Sequence, residues 1–271
     1  MIEVRPAAVA GAFYPSDARQ LAGDIGRYLA HATEAPSSIQ GAPKALIVPH
    51  AGYIYSGPVA ACAYALLRPL RETVRRVVLL GPAHRVAVQG LAVPTSNAFA
   101  TPLGVVPIDH EVVDAALRLP QVTKSASAHA LEHSIEVQLP FLQQVLGQFT
   151  LVPFAVGFAS DKDVAEVLEL LWGGDETLIV ISSDLSHYHQ YAEAQRIDRF
   201  TASNVLSFSR LEDHGQACGA TPINGLLLQA KRHGLTPTLL DLRNSGDAAG
   251  DKSRVVGYAS FAFSHGSDAK Q

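Results

Sequence analysis

Three stretches of the 271-residue chain carry a histidine just beyond a buried-looking apolar run. Ala45-Leu46-Ile47-Val48 leads into Pro49-His50, and Val77-Val78-Leu79-Leu80 leads into Gly81-Pro82-Ala83-His84. Thr177-Leu178-Ile179-Val180-Ile181-Ser182 leads into Ser183-Asp184-Leu185-Ser186-His187. Neutral imidazoles suit iron, zinc or copper, and a thiolate adds a strong soft ligand. Cys218 supplies the thiol: it precedes Thr221-Pro222, which reads as a helix start, and a helix N-terminus favours an anion and lowers a thiol pKa. That placement suits either a metal ligand or a nucleophile. Tyr53 and Tyr55 follow His50 closely enough to wall a pocket, and His133 and Glu136, three apart, share one face of a helix.

Each of these residues also has a plainer reading. A histidine after a strand can be a hydrogen-bonded turn residue, Asp184 can cap its turn, and His133 with Glu136 can form a solvated helix face. No spacing here has the specificity of a paired CxxC site or an HExxH helix. His110, His214, His233 and His265 read as surface histidines, His129 and His189 stay open, and Cys62 reads as an apolar filler inside a helix.

The elements that would position these groups follow from periodicity and punctuation. Ser16 caps a helix over 17–31, whose Leu21, Ile25, Tyr28 and Leu29 mark one face. A Ser/Pro/Gly/Ala loop covers 34–43. Helices are expected over 59–70, 110–119, 160–172 and 191–208, and from Thr221 to Gly234. Residues 135–146 carry a helical stripe that Pro140 kinks or divides. Strands are expected over 45–48, 75–80, 151–156, 177–182, 239–243 and 255–263, with a hairpin excursion within 90–109 and a frayed end at 265–271. Alternating strands and helices without a linker or internal repeat predict one α/β domain spanning 1–271. Its central, largely parallel or mixed β-sheet would be flanked by helices. In such sheets ligands collect where parallel strands end, so His50, His84 and the Asp184/His187 pair would share one edge.

Composition narrows the function classes. Hydrophobic residues make up 48% and charged residues 17%, enough to bury a substantial core. A net charge of −4 offers no support for a nucleic-acid or anionic-membrane partner. No apolar run reaches the roughly 18 residues of a membrane span. Two cysteines make no disulfide framework, and the first residues lack the pattern of a signal peptide, so a cytoplasmic location is expected.

Taken together, Pro49-His50-Ala51-Gly52-Tyr53 with Tyr55-Ser56-Gly57, Gly81-Pro82-Ala83-His84, Glu132-His133-Ser134-Ile135-Glu136, Ser182-Ser183-Asp184-Leu185-Ser186-His187, and Cys218-Gly219 with Pro222-Ile223 resemble the motifs of the MEMO-like family. Its prokaryotic members are also called AmmeMemoRadiSam system protein B. The resemblance runs from Val4-Arg5 to Gly257-Tyr258-Ala259, with Ala83 where Ser or Asn is common in relatives. It implies a fold similar to class III (LigB-like) extradiol dioxygenases, which bind non-haem Fe(II) through two histidines and a glutamate. Carried over by motif, His50, His84 and Cys218 would hold Fe(II), with copper or zinc as alternatives. Asp184 and His187 would line the same pocket; in a metal enzyme His187 would then serve as acid/base, oriented by Asp184. Cys218 stands where the dioxygenases have a carboxylate, so catechol dioxygenase activity is not implied. The resemblance also implies a pathway association with AMMECR1-like and radical-SAM proteins.

Three functions fit this set of residues. The first is a metal-dependent redox or oxygenase-type enzyme. The second is a metal-free Cys/His hydrolase or transferase, with Cys218 as nucleophile, His187 as base and Asp184 orienting it. The third is a non-catalytic protein that binds a peptide or small ligand in the same pocket.

Overall fold

The computed structural model describes residues 3–32, 39 and 41–266. In chain order the strands are β1 Val4–Arg5, β2 Pro43–Val48, β3 Arg76–Pro82, β4 Leu91–Val93, β5 Ala98–Thr101, β6 Gly104–Pro107, β7 Val122–Lys124, β8 Thr150–Val156, β9 Thr177–Ser182, β10 His187–His189, β11 Leu235–Asn244 and β12 Val255–His265. The helices are α1 Ala18–Ala32, α2 Tyr53–Tyr64, α3 His110–Ala116, α4 Ala126–Ala130, α5 His133–Glu136, α6 Leu139–Val145, α7 Asp161–Leu170, α8 Tyr191–Leu206, α9 Ala220–Arg232 and α10 Ser245–Ala249.

The sheet is mixed. Its order is β10-β12-β2-β9-β3-β8-β4-β7, with β11 paired along β12. β2, β9, β3 and β8 run parallel, while β12 is antiparallel to β2 and β4 is antiparallel to β8. The parallel strands are continuous apolar runs because helices cover both of their faces, and every residue of β9 is buried. One helical layer packs α1, α2 and α6 together, and another packs α7 on α9, with α9 against β3 and β9. A small second sheet, β1-β5-β6, contains the hairpin expected within 90–109, turning at Thr101–Gly104.

Several boundaries differ from the sequence expectation. Helix α2 starts at Tyr53, ahead of the helix expected over 59–70, so Gly57-Pro58 lies inside it. The chain from Ala65 to Leu70 tightens into a 3₁₀ turn. Pro140 does not kink a long helix. It sits in the first turn of α6, where a missing N–H costs nothing, and α5 is a separate element. Helix α9 starts at Ala220 with Gly219 as N-cap, not at Thr221. The late strand expected over 239–243 extends over 235–244 because β12 offers it partners along that length. Most of the loop expected over 34–43 lies outside the described residues, as does the expected fraying after Gly266. Pro43 already belongs to β2 and His265 still belongs to β12.

Candidate metal centre

The parallel strands end together, and the polar residues that follow them meet there. His50 lies two residues past β2, His84 two past β3, and Asp184 two past β9. Cys218 arrives on the loop before α9, and its backbone N–H donates to Asp184 O at 3.2 Å. The short helix α5 brings His133 across the end of β3. That approach requires Gly81, since a Cβ there would meet Ser134 Oγ at 2.5 Å. The Ser134 hydroxyl then donates to Pro82 O at 2.9 Å, fixing α5 to the strand end.

His50, His84 and His133 each offer one ring nitrogen, and the three atoms lie within 4.8 Å of one another. The His84 and His133 rings stack at 4.7 Å, and His50 meets them edge-on at 5.2 and 5.4 Å. Cys218 Sγ lies 3.4 Å from His50 Nε2 and falls outside the group formed by the three ring nitrogens. Donors that share one ion at bond lengths of about 2.0–2.3 Å stand at about this separation.

Burial sets the protonation states. It pushes His50 down to about 3, helped by the neighbouring His84, and His133 down to about 4, helped by His50. Both rings are therefore neutral near pH 7, the form that ligates metals. Burial and then the Asp184 charge push the Cys218 thiol up to about 12. This corrects the expectation of a thiol activated by the start of α9: loss of solvent and a nearby carboxylate outweigh the few N–H dipoles of the helix end. Burial raises Asp184, opposed by the His50 N–H, which donates to its Oδ1 at 2.7 Å. Burial alone would also raise Glu132. The hydrogen bond and charge of His84, with backbone N–H groups of Ser134 and His84, outweigh it and hold Glu132 at about 2.

The donor set fits a transition-metal ion. It holds imidazoles, two of them kept neutral by burial, and among the described residues His133 Nδ1 is a buried polar atom with no hydrogen-bond partner. Although that nitrogen is 3.3 Å from Glu132 Oε1, it is out of line for a hydrogen bond.

Of the residues singled out in sequence, His50, His84, Cys218, Asp184 and His133 meet at this edge. His187 stands on β10, half-buried and near His50 and Asp184. Among the described residues no hydrogen bond joins His187 to Asp184, so the carboxylate does not orient that ring. Tyr55 is half-buried and near Tyr258, which also feels Asp184.

Two expected pocket residues are not in the pocket. Tyr53 is buried, donates its hydroxyl to Val137 O at 2.7 Å and packs on Tyr14 and Phe141. Glu136 points away from His133 into a buried node. There it accepts from Arg5 Nη1 (2.5 Å), Ala8 N (2.8 Å), Val9 N (3.0 Å) and the Tyr14 hydroxyl (2.5 Å). Its helix face meets the N-terminal segment and not solvent or ligand. That segment also lays Phe13 against the His133 ring at 4.7 Å.

Away from the site, His233 is half-buried and stacked on Trp172 at 4.0 Å, contrary to its surface reading. His129 is buried, with Nε2 on Ala92 O at 2.8 Å, and His189 pairs with Glu193 at 3.6 Å. Cys62 is half-buried in α2 with Sγ 3.4 Å from Pro58 O, and burial raises its thiol to about 11. Glu132, Ser182 and Gln138 are site residues that residue-by-residue reading passed over. The signal available for Glu132 was its position as helix N-cap directly before a candidate ligand.

The sequence model of a family described as "Memo-like protein" matches residues 5–262. A MEMO1 family protein of Aquifex aeolicus is 38% identical over 274 residues, covering 97% of this chain and 100% of the relative. Another, of Sulfolobus acidocaldarius, is 37% identical and covers 96% of this chain and 99% of the relative. Among solved structures, an uncharacterized protein, JW3007, from Escherichia coli K12 aligns with a TM-score of 0.55. It is 14% identical and covers 80% of this chain and 98% of that one, a likeness of fold alone.

Proposed function

The chain belongs to the Memo-like family, and on that premise we propose that the strand-end cluster is a redox-active metal centre with an oxygenase-type or other oxidative activity on a small substrate. The observation that carries the reading is the convergence of three ring nitrogens within 4.8 Å, two of them on imidazoles that burial keeps neutral. His50, His84 and Cys218 would hold the ion, with His133 as a further imidazole in reach. Fe(II) is our first choice and copper the second, because a thiolate beside imidazoles suits both.

An ion bound there supplies one-electron redox chemistry and Lewis acidity. The surrounding residues bind it and manage protons. Beside such a charge Cys218 would be held as a thiolate, and the Asp184 N–H, 3.3 Å from its sulfur, would donate to it. Asp184, raised by burial, can hold a proton next to His50. His187, less enclosed, would exchange protons with a substrate. The cytoplasm remains the expected location, and a working association with AMMECR1-like and radical-SAM proteins remains a proposal that follows from the family resemblance.

The metal-free hydrolase reading has one observation in its favour, the 3.4 Å contact between Cys218 Sγ and His50 Nε2. The raised thiol argues against it, because a nucleophile needs the thiolate. A non-catalytic binding pocket would need neither the convergence nor the sulfur.

The test is metal content after anaerobic purification and loading with Fe(II) or Cu(II). We expect about one equivalent in the wild type and loss in His50→Ala and His84→Ala. Equal, sub-stoichiometric metal in all three refutes the reading.

A further inference from the structure

We propose that Ser182 and Glu132 are positioning residues that lock His50 and His84 in the Nδ1–H tautomer, so that both Nε2 lone pairs face the same point. This inference rests on the metal-site reading for its purpose. Its physical basis is a hydrogen-bond count that holds with or without an ion.

The count for His50 starts at two backbone carbonyls, which can only accept. Pro49 O takes a proton from Gln138 Nε2 at 2.9 Å, which fixes which end of that amide carries the nitrogen. The same Nε2 donates its second proton to Ser182 Oγ at 2.7 Å, and Gln138 Oε1 accepts from the Tyr64 hydroxyl at 2.8 Å. Ser182 has one proton of its own, and it goes to Ser134 O at 2.6 Å. The hydroxyl is left with one lone pair, which faces His50 Nδ1 at 2.9 Å. Nδ1 must therefore carry the hydrogen, and Nε2 is left bare beside Cys218. The opposite tautomer would take the Ser182 proton and leave two oxygens in contact at 2.6 Å with nothing between them. Ser182, Ser134 and Gln138 are buried, so no water replaces the missing bond.

The count for His84 is shorter. Both Glu132 oxygens face backbone N–H groups, which can only donate, so the carboxylate serves as acceptor on each side. Its Oε1 takes His84 Nδ1–H at 2.9 Å together with the backbone N–H groups of His133 and Ser134, both at 2.9 Å, and its Oε2 takes His84 N–H at 2.5 Å. The carboxylate thus grips His84 by ring and backbone at once, and Nε2 is again free. His133 has no such lock, since its Nδ1 lacks a partner. Two imidazoles are fixed in advance and the third can adapt. Such outer partners set ring orientation and ligand basicity at metal sites.

The test reads tautomers in metal-free protein by long-range ¹H–¹⁵N correlation of histidine rings, with His50→Asn and His84→Asn variants for assignment. We expect the Nδ1–H pattern for both rings, although Nε2–H is the usual form of free histidine. An Nε2–H pattern at either ring overturns the proposal for that ring, whatever the variants do. Ser182→Ala should convert His50 alone to Nε2–H and weaken Fe(II) binding about 10- to 100-fold. Ser182→Thr, which keeps the hydroxyl, should retain the tautomer and most of the affinity. Unchanged tautomer and affinity in Ser182→Ala would also refute the lock. The spectrum does not depend on metal, so Nδ1–H rings in a protein that binds no ion would sink the metal reading and leave the lock standing.

Discussion

Replacing Glu136 with glutamine removes one negative charge from a place where four donors converge. Both partners of its ion pair with Arg5 are buried, at 4% and 0% side-chain exposure, so water cannot compensate. Each carboxylate oxygen accepts twice, from Arg5 and Ala8 on one side and from Val9 and Tyr14 on the other. Glutamine keeps one oxygen, which Arg5 and Ala8 would hold. Its amide nitrogen then faces the Val9 N–H, donor against donor, while the Tyr14 hydroxyl can turn and accept. The variant therefore leaves a buried guanidinium without its counter-charge and a backbone donor without a partner. Breaking a buried pair from one side costs about 3–5 kcal/mol. For a chain of this size that is a fall in Tm of roughly 5–9 °C. Chemical denaturation and thermal melting of the metal-free protein measure it. The Arg5→Met, Glu136→Met double variant should lose less than the sum of its single variants, because neither charge is stranded. A loss below about 1 kcal/mol for Glu136→Gln would refute the reasoning, and so would strict additivity in the double variant.

Other outcomes follow from separate parts of the molecule. Gly257→Ala would put a methyl group 2.0 Å from Asp198 Oδ2, so it should lower thermal stability sharply or leave the protein insoluble. Burial raises Asp198 to about 6, above its unfolded value near 4. The folded state therefore binds this proton more tightly, and the stability so gained is full below pH 4 and lost as pH rises through 6. Asp198→Asn should flatten that part of the stability–pH curve, a change on the order of 2–3 kcal/mol; an unchanged curve would contradict it. Co(II)-loaded protein should show a sulfur-to-metal charge-transfer band that survives His133→Ala and disappears in Cys218→Ser. Absence of the band from wild-type protein that binds Co(II), with binding lost in His133→Ala, would make His133 the third ligand.

The fold was legible where chemistry is local. Short β-branched apolar runs such as Ile179-Val180-Ile181 read as strands covered on both faces, and the histidines beyond them fall at one edge by topology. What stayed hidden depended on partners distant in sequence. Glu136 shows helical spacing with His133, but nothing local reveals that Arg5, 131 residues away, turns it inward. Tyr53 follows a proposed ligand in sequence, yet the start of α2 rotates it into the core. The lift of the Cys218 thiol by burial and Asp184 could not be read from its place before a helix, because local sequence carries no depth. Glu132 and Ser182 look like an ordinary cap and an ordinary strand end. Only their distances to His84 Nδ1 and His50 Nδ1 separate them from other polar residues.

The most direct measurement is anomalous diffraction at an iron edge from crystals of anaerobically purified, Fe(II)-loaded protein. The account predicts one strong peak bonded to Nε2 of His50 and Nε2 of His84, with Cys218 Sγ completing the set. A loaded crystal with no peak between those two rings, or with iron bound through either Nδ1, would contradict it.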